Sequence, residues 1–441
     1  MVTPHIDRLA SQGRLFLNHF VNVPTCGASR YSMLTGRYPQ NIAALSNNIF
    51  ERVTAGKPAG KEPESLAELF RRNGYYTVGI GKISHAADGR IYGYNQPVSD
   101  KMELPNSWDE FLFDAGKWGT GWNAFFGYAN GENRQSLKGQ VKPYEIADVD
   151  DAGYPDGLTA DLAVSKLKAL RQRKEPFFLA VGFFKPHLPF NAPKKYWDLY
   201  NEKDIELSHI PDIPKGVRAA SLHNSNEFNQ YKSTDEKPSL KNAVSDAYAR
   251  KLRHAYFASV SYVDAQIGKV LQALKETGME KNTVVVLWGD HGWHLGDQRV
   301  WGKHTLSEYS LKSPLIIAYP GMPYKGRRSQ AIVQSVDIYP TLVQIAGLKL
   351  PYNTDGRSLF NILQNPAIVN KQNAFAYFNN GITMRTERYR VTKYYRNRSD
   401  VELYDYAKDP FETRNIASEN KEVTDSLLKM LEQGNTGLYD K

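Results

Sequence analysis

The chain has 441 residues, 41% apolar and 23% charged, a globular balance that excludes a disordered chain and suits one large domain with a smaller appendix. No run approaches the roughly 18 apolar residues that a membrane helix requires, so no membrane span is expected. The net charge of +9 is dispersed, densest at 325–328 and 385–398, and no helix-turn-helix, zinc-finger or RNA-binding pattern accompanies it, which argues for an anionic substrate and against nucleic acid.

The opening Met1-Val2-Thr3-Pro4 has neither basic cap nor apolar core, so this chain carries no recognisable secretory signal. Spaced apolar residues predict a helix over 64–73, stopped by Gly74, and a strand follows over 76–80. The stretch 89–156 is polar and rich in Gly, Pro and Asn, as is 201–239; both are expected to lie as loops over a site. A helix over 159–173 and a strand over 177–182 come between them. The long helix 246–276 carries a stripe of Tyr256, Val260, Val263, Ile267, Leu271 and Leu274. Strands follow over 283–288 and 314–319, then a helix over 337–345 with Asp337 as its cap and Pro340 in its first turn. Continuous apolar strands alternating with helices predict an α/β fold, a mostly parallel sheet covered on both faces. The tail differs: short alternating runs over 373–396, a turn at Asn379-Asn380-Gly381, a further run over 402–406 and a helix over 421–432 predict a small antiparallel sheet with a closing helix. The expected division is 1–365 and 366–441.

Chemistry-bearing residues gather just after the predicted strands. Gly81-Lys82-Ile83-Ser84-His85 follows one, Lys185-Pro186-His187 a second and Gly289-Asp290-His291-Gly292 a third, with Gly302-Lys303-His304 close behind. Ligands of such sheets bind beyond the carboxyl ends of the strands, so these groups are expected on one rim. The only cysteine, Cys26, has no partner for a disulfide or a cysteine cluster, and Arg30 follows it by four residues. Singly, each group has a plainer reading: a solvated lysine, a turn after a strand, a small buried thiol. Trp293 and Trp301 either line a sugar subsite or pack, and His294, Asp297 and His304 either support the site, face the substrate or lie on the surface.

Taken together, the segments resemble type I, formylglycine-dependent sulfatases. The matching elements are Cys26-Gly27-Ala28-Ser29-Arg30, which stands at the family's cysteine-x-(Pro or Ala)-x-arginine signature, followed by Leu34-Thr35-Gly36-Arg37; then Gly-Lys-x-x-His, Lys-Pro-His and Gly-Asp-His-Gly; and the flanking Pro4-His5-Ile6-Asp7-Arg8-Leu9-Ala10 and Asp337-Ile338-Tyr339-Pro340-Thr341-Leu342. Residues 177–190 and 256–262 are similar to the iduronate-2-sulfatase-like branch. The resemblance implies an alkaline-phosphatase-like fold and conversion of Cys26 to formylglycine by a sulfatase-maturing enzyme. It implies Cys26, Asp290 and His291 as ligands of a calcium ion, with magnesium as the alternative. Lys82 and Lys303 correspond to sulfate-binding lysines, and Arg30, His85 and His187 to catalytic positions: Arg30 orients the nucleophile, His187 protonates the leaving oxygen and His85 takes up a proton. Lys82, His187, Lys303 and His304 are the expected substrate contacts, the substrate is a sulfated oligo- or polysaccharide, and the full-length protein is expected in the periplasm or outside the cell.

One departure matters. The family's first strand, ending in two metal-binding aspartates, lies upstream of the Pro-His-Ile-Asp-Arg-Leu stretch, which begins here at Pro4. The expectation for this chain is a sheet lacking a central strand and a cation lacking two carboxylates. Two rival functions are a phosphonate or phosphodiester hydrolase of the same superfamily, and a glycan-binding relative that retains the anion pocket.

Overall fold

The computed structural model describes residues 1–368, 373–395 and 400–439, so the end of the basic 385–398 patch falls outside the described residues. The central layer is built from β1 (Arg14–Phe20), β2 (Tyr76–Gly81), β3 (Glu110–Leu112), β4 (Phe177–Gly182), β5 (Val285–Trp288), β6 (Leu315–Ala318) and β7 (Arg328–Gln334). They form two hydrogen-bonded sheets. In one, ordered β7-β1-β6-β5, β1 and β7 are parallel and β6 runs antiparallel to both its neighbours. In the other, ordered β3-β2-β4, both pairings are parallel.

Helices cover both faces, and alternate side chains choose between them. α1 (Pro4–Gln12), α4 (Pro155–Leu170) and α5 (Asp246–Glu276) meet Leu15, Leu179, Val285, Leu287 and Ile316. On the other face α2 (Cys26–Thr35), α3 (Leu66–Arg72) and α6 (Ile338–Ile345) meet Phe16, Phe178, Ala180, Leu315 and Ile317. This period of two is the pleat of a strand buried on both sides. None of the described helices is long and apolar enough to cross a membrane.

The long helix buries Val263 and Leu274 of the predicted stripe but otherwise a different set. Ala255, Ala258, Ser259, Tyr262 and Ala273 lie fully inside, whereas Val260, Ile267 and Leu271 are half-buried. The reason lies in the layer above. Phe177, Leu179 and Val285 share one apolar cluster on α5, yet β4 and β5 do not pair with each other and each has one edge without a strand partner among the described residues. The side chains of Phe177–Val181 and Val285–Trp288 are only half-buried as a result. Asp337 caps a different turn from the one expected: its carboxylate accepts from the backbone of Gln334 and Arg357, holding the 3₁₀ turn before α6 rather than α6 itself.

The tail forms a four-stranded antiparallel sheet, β8 (Ala374–Phe378), β9 (Gly381–Arg385), β10 (Tyr389–Tyr394) and β11 (Val401–Asp405), in sequence order. Asn379 and Asn380 have φ of 48° and 59°, the left-handed pair that a two-residue hairpin needs. α7 (Lys421–Leu431) closes one face through Leu427 and Leu431 against Tyr377, Met384 and Val391. Buried Glu412 ties this unit to the main layer: it accepts from Arg390 Nε at 2.6 Å and from Ser307 Oγ at 2.6 Å.

Candidate active site

Cys26 is the first residue of α2, buried to 2% exposure. The chain enters through a tight approach: a Cβ on Gly27 would stand 2.5 Å from the Asn47 carbonyl oxygen, while the Gly27 N–H donates to Asn47 Oδ1 at 2.9 Å. The thiol lies 3.2 Å from His291 Nε2 and 3.4 Å from Lys303 Nζ. Burial alone would raise it, yet the charges of Lys303, Lys82 and His291 hold it well below the ordinary thiol value, and the helix N-terminus adds to the effect. It is a thiolate environment, not the inert setting of a structural cysteine.

The three predicted strand-end histidines lie beyond the carboxyl ends of β2, β4 and β5. His291 Nδ1 donates to the Gly292 carbonyl at 2.7 Å, which turns Nε2 toward Cys26. Burial would lower its proton affinity, but Asp290 and Cys26 raise it above the usual histidine value. His187 Nδ1 donates to the Leu188 carbonyl at 2.7 Å and Nε2 faces Glu227 at 2.9 Å and Lys303 Nζ at 3.3 Å. His85 sits against Trp122 with ring centroids 5.3 Å apart, its Nδ1 buried without a partner among the described residues. Burial, then Lys82, push it down to about 3, so it is neutral.

Lys82 and Lys303 are each 2% exposed. Lys303 is bracketed by Glu227 at 3.1 Å and by Cys26; burial would lower it, but those two anions raise it. Lys82 Nζ stands 4.4 Å over the Phe125 ring and has no carboxylate within ion-pair distance among the described residues; burial lowers it. Among the described residues Arg30 makes no hydrogen bond to Cys26. It pairs with Asp290 Oδ2 at 2.8 Å and donates to the carbonyls of Lys82 and Ile83, binding the β2 and β5 rims together. Burial would raise Asp290, and Arg30 and His291 hold it below the usual carboxylate value. His304 lies beside the cluster, its ring stacked on Phe378 of the C-terminal sheet at 5.5 Å, and burial and Lys303 push it down to about 3.

Several functional supports escape sequence reasoning. Glu103 receives the backbone N–H of His85 at 3.0 Å and of Ala86 at 2.8 Å, and Asp156 those of Phe184 at 2.7 Å and Lys185 at 2.8 Å. These two buried carboxylates shape the loops that carry His85 and His187. Lys185, pushed by burial to about 8, donates to the Pro189 carbonyl within the same loop. Gly182 has no side chain because its Cβ would overlap the Lys82 carbonyl, where Lys82 N donates to Gly182 at 3.0 Å. Glu227 comes from the 201–239 insertion; burial would raise its carboxyl, and Lys303 and His187 hold it well below the usual range. The weaker candidates resolve as packing. His294 is buried between the Asp297 carbonyl and Thr305 Oγ1, Asp297 receives Leu295 N, and Trp301 packs on Phe228. Trp293 lies nearer, its ring 5.4 Å from Lys303 Nζ.

Cys26, Asp290 and His291 present one ligand atom each, all within 4.8 Å of one another. Arg30 occupies only Oδ2 of Asp290, and His291 is turned with Nε2 inward, so the set fits a divalent cation.

Comparison with known proteins points to one family. The family model described as Sulfatase matches residues 1–348, and one described as N-sulphoglucosamine sulphohydrolase, C-terminal, matches residues 289–436. A sulfatase of Formosa agariphila is 31% identical over 432 residues, covering 95% of this chain and 79% of its own. Iduronate 2-sulfatase of Mus musculus is 30% identical over 386 residues, covering 79% of this chain; the chain spans 65% of that enzyme's length. A structure solved with its substrate D-glucosamine-2-N,6-O-disulfate superposes with a TM-score of 0.72 at 21% identity, covering 98% of this chain and 92% of the other, a likeness of fold.

Proposed function

The chain belongs to the sulfatase family, and from that premise we propose that it hydrolyses sulfate esters of a sulfated oligo- or polysaccharide after a maturing enzyme has oxidised Cys26 to formylglycine. The observation that carries the reading is the convergence of Lys303, His291 and the Asp290–Arg30 pair on residue 26 from distant stretches of chain. Formylglycine supplies, as its hydrate, the oxygen nucleophile; a divalent cation held by residue 26, Asp290 and His291, calcium by the hard oxygen of Asp290 with magnesium the alternative, would polarise the sulfuryl group.

The remaining chemistry belongs to the chain itself. A sulfate ester is an anion entering a buried site, and the ammonium groups of Lys82 and Lys303 bind its oxygens; Lys82, with no carboxylate of its own, is the freer of the two. His187 donates a proton to the leaving oxygen, with Glu227 fixing its Nε2. His85, held neutral by burial and Lys82, is assigned the proton given up when the nucleophile is regenerated, a role that needs the bound sulfate to offset the Lys82 charge. Arg30 is a positioning residue that sets Asp290 and the Lys82 loop. Residues 1–365 supply these groups, and 366–441 close the His304 side through Phe378. The proposed location is the periplasm or the cell exterior.

The test is co-expression with a sulfatase-maturing enzyme, mass analysis of the peptide bearing residue 26, and release of inorganic sulfate. The aldehyde form is expected, with activity lost in Cys26→Ala. Full sulfate release by that variant, or turnover of phosphate esters alone, overturns the reading.

A further inference from the structure

Arg134 is a buried arginine with no anion. Other buried guanidinium groups have oxygen partners: the terminal nitrogens of Arg14 donate to the carbonyls of Pro323, Tyr324, Arg327 and Leu363, and Arg390 pairs with Glu412. Arg134 is 5% exposed, yet no carboxylate of the described residues lies within ion-pair distance. Its partners are aromatic: the guanidinium carbon stands 3.7 Å from the Phe126 centroid and 5.2 Å from that of Tyr231. Rings satisfy the faces of a guanidinium but not its in-plane N–H donors. A second group nearby is equally incomplete. Tyr231 is 0% exposed, and its hydroxyl is set against the Arg134 guanidinium without a well-aligned hydrogen bond to any described residue.

The pair adjoins the catalytic cluster. Phe126 packs 5.4 Å from Tyr94, Tyr94 4.8 Å from Trp122, and Trp122 5.3 Å from His85. Burial raises the Tyr94 phenol, and the charges of Arg134, Glu227, Cys26 and Lys303 all act on it, so one hydroxyl senses both places. Glu227 does not neutralise Arg134, because Lys303 and His187 engage its oxygens.

We infer that the Arg134 guanidinium and the Tyr231 hydroxyl form a second anion subsite beside the Cys26 site, which takes a carboxylate or a further sulfate carried by the same saccharide. The inference rests on the sulfatase reading of the Cys26 site and narrows its substrates to doubly anionic sugars. A planar fork of donors with its faces already packed suits either oxyanion bidentately.

The experiment compares matured wild type, Arg134→Gln, Arg134→Lys and Tyr231→Phe on 4-nitrophenyl sulfate, glucosamine 6-sulfate, glucosamine N,6-disulfate, and a sulfated hexuronate beside its neutral hexose counterpart. Arg134→Gln should lower kcat/KM for the doubly anionic substrates about 10- to 100-fold more than for the singly anionic ones, chiefly through KM. Arg134→Lys should recover part of the loss, and Tyr231→Phe, which keeps the ring, should show the same selectivity with a smaller loss. Whether the disulfate or the hexuronate responds tells sulfate from carboxylate. An equal loss on every substrate overturns the subsite and leaves the sulfatase reading intact. Failure of wild type to cleave any of the sulfates overturns that reading, and the subsite with it.

Discussion

Replacing Glu412 by Gln tests how the C-terminal sheet is held to the catalytic layer. The carboxylate is 0% exposed and accepts from Arg390 Nε at 2.6 Å, Ser307 Oγ at 2.6 Å and the Tyr406 hydroxyl. Burial would raise its carboxyl, but Arg390 holds it down from 4.5 to about 2. A depression of that size corresponds to about 3 kcal/mol of stability. The general cost of leaving one member of a buried pair alone, about 3–5 kcal/mol, agrees with it. Gln keeps the shape and leaves Arg390 as an uncompensated buried cation, so urea unfolding at pH 7 should show a loss of about 3 kcal/mol at unchanged m-value. The pH dependence has a definite sign. A depressed carboxyl stabilises fully above its unfolded value near 4.5 and loses that contribution as pH falls through its folded value near 2. The gap between wild type and variant should therefore be constant above about pH 5 and close toward pH 2. A gap below about 1 kcal/mol at pH 7, or one that does not narrow on acidification, would refute the assignment of the pair as the tether.

Three further outcomes are expected. Lys82→Met removes a buried ammonium that has no carboxylate partner, so kcat/KM for 4-nitrophenyl sulfate should fall about 10²- to 10³-fold while thermal stability holds or rises; a stability loss with activity retained would count against a sulfate-binding role. His19, held neutral by burial at about 4 between Ser313 and Ser335, must stay unprotonated in the folded chain while the unfolded chain takes up its proton below about 6.5, so stability should drop as pH falls from 6.5 toward 4; His19→Gln should flatten that slope in calorimetric scans by one proton. Calcium added to the chelator-treated protein should raise the melting temperature of wild type and leave that of Asp290→Asn unmoved; an equal rise in both would place the ion elsewhere.

What the sequence made legible divides along a physical line. Lys82, His187 and Asp290 stand in short motifs next to strand ends, with Lys303 in a motif close behind, and a sheet gathers its strand ends on one rim, so local words were enough to find them. Glu227, Arg134 and Tyr231 stand in polar insertions with no periodicity, and Glu227 meets its partner Lys303 across 76 residues of chain. β1 was illegible for another reason. Its polar residues are inside: Arg14 donates to carbonyls and His19 bonds Ser313 and Ser335, so a buried strand reads as a mixed one. The strands of β4 and β5 erred in the opposite direction, since an unbroken apolar run records what a strand can bury and not whether both neighbours are present. The same logic separates the two buried lysines of the site. Lys303 has Glu227 to answer its charge whether or not substrate is bound, whereas Lys82 has a ring and a nearby thiolate. Arg134 repeats the Lys82 condition on the far side of Trp122 and Phe126. Buried cations destabilise a fold unless carbonyls or an anion complete them: Arg14 has the carbonyls, whereas among the described residues Lys82 and Arg134 stand against aromatic rings with no carboxylate.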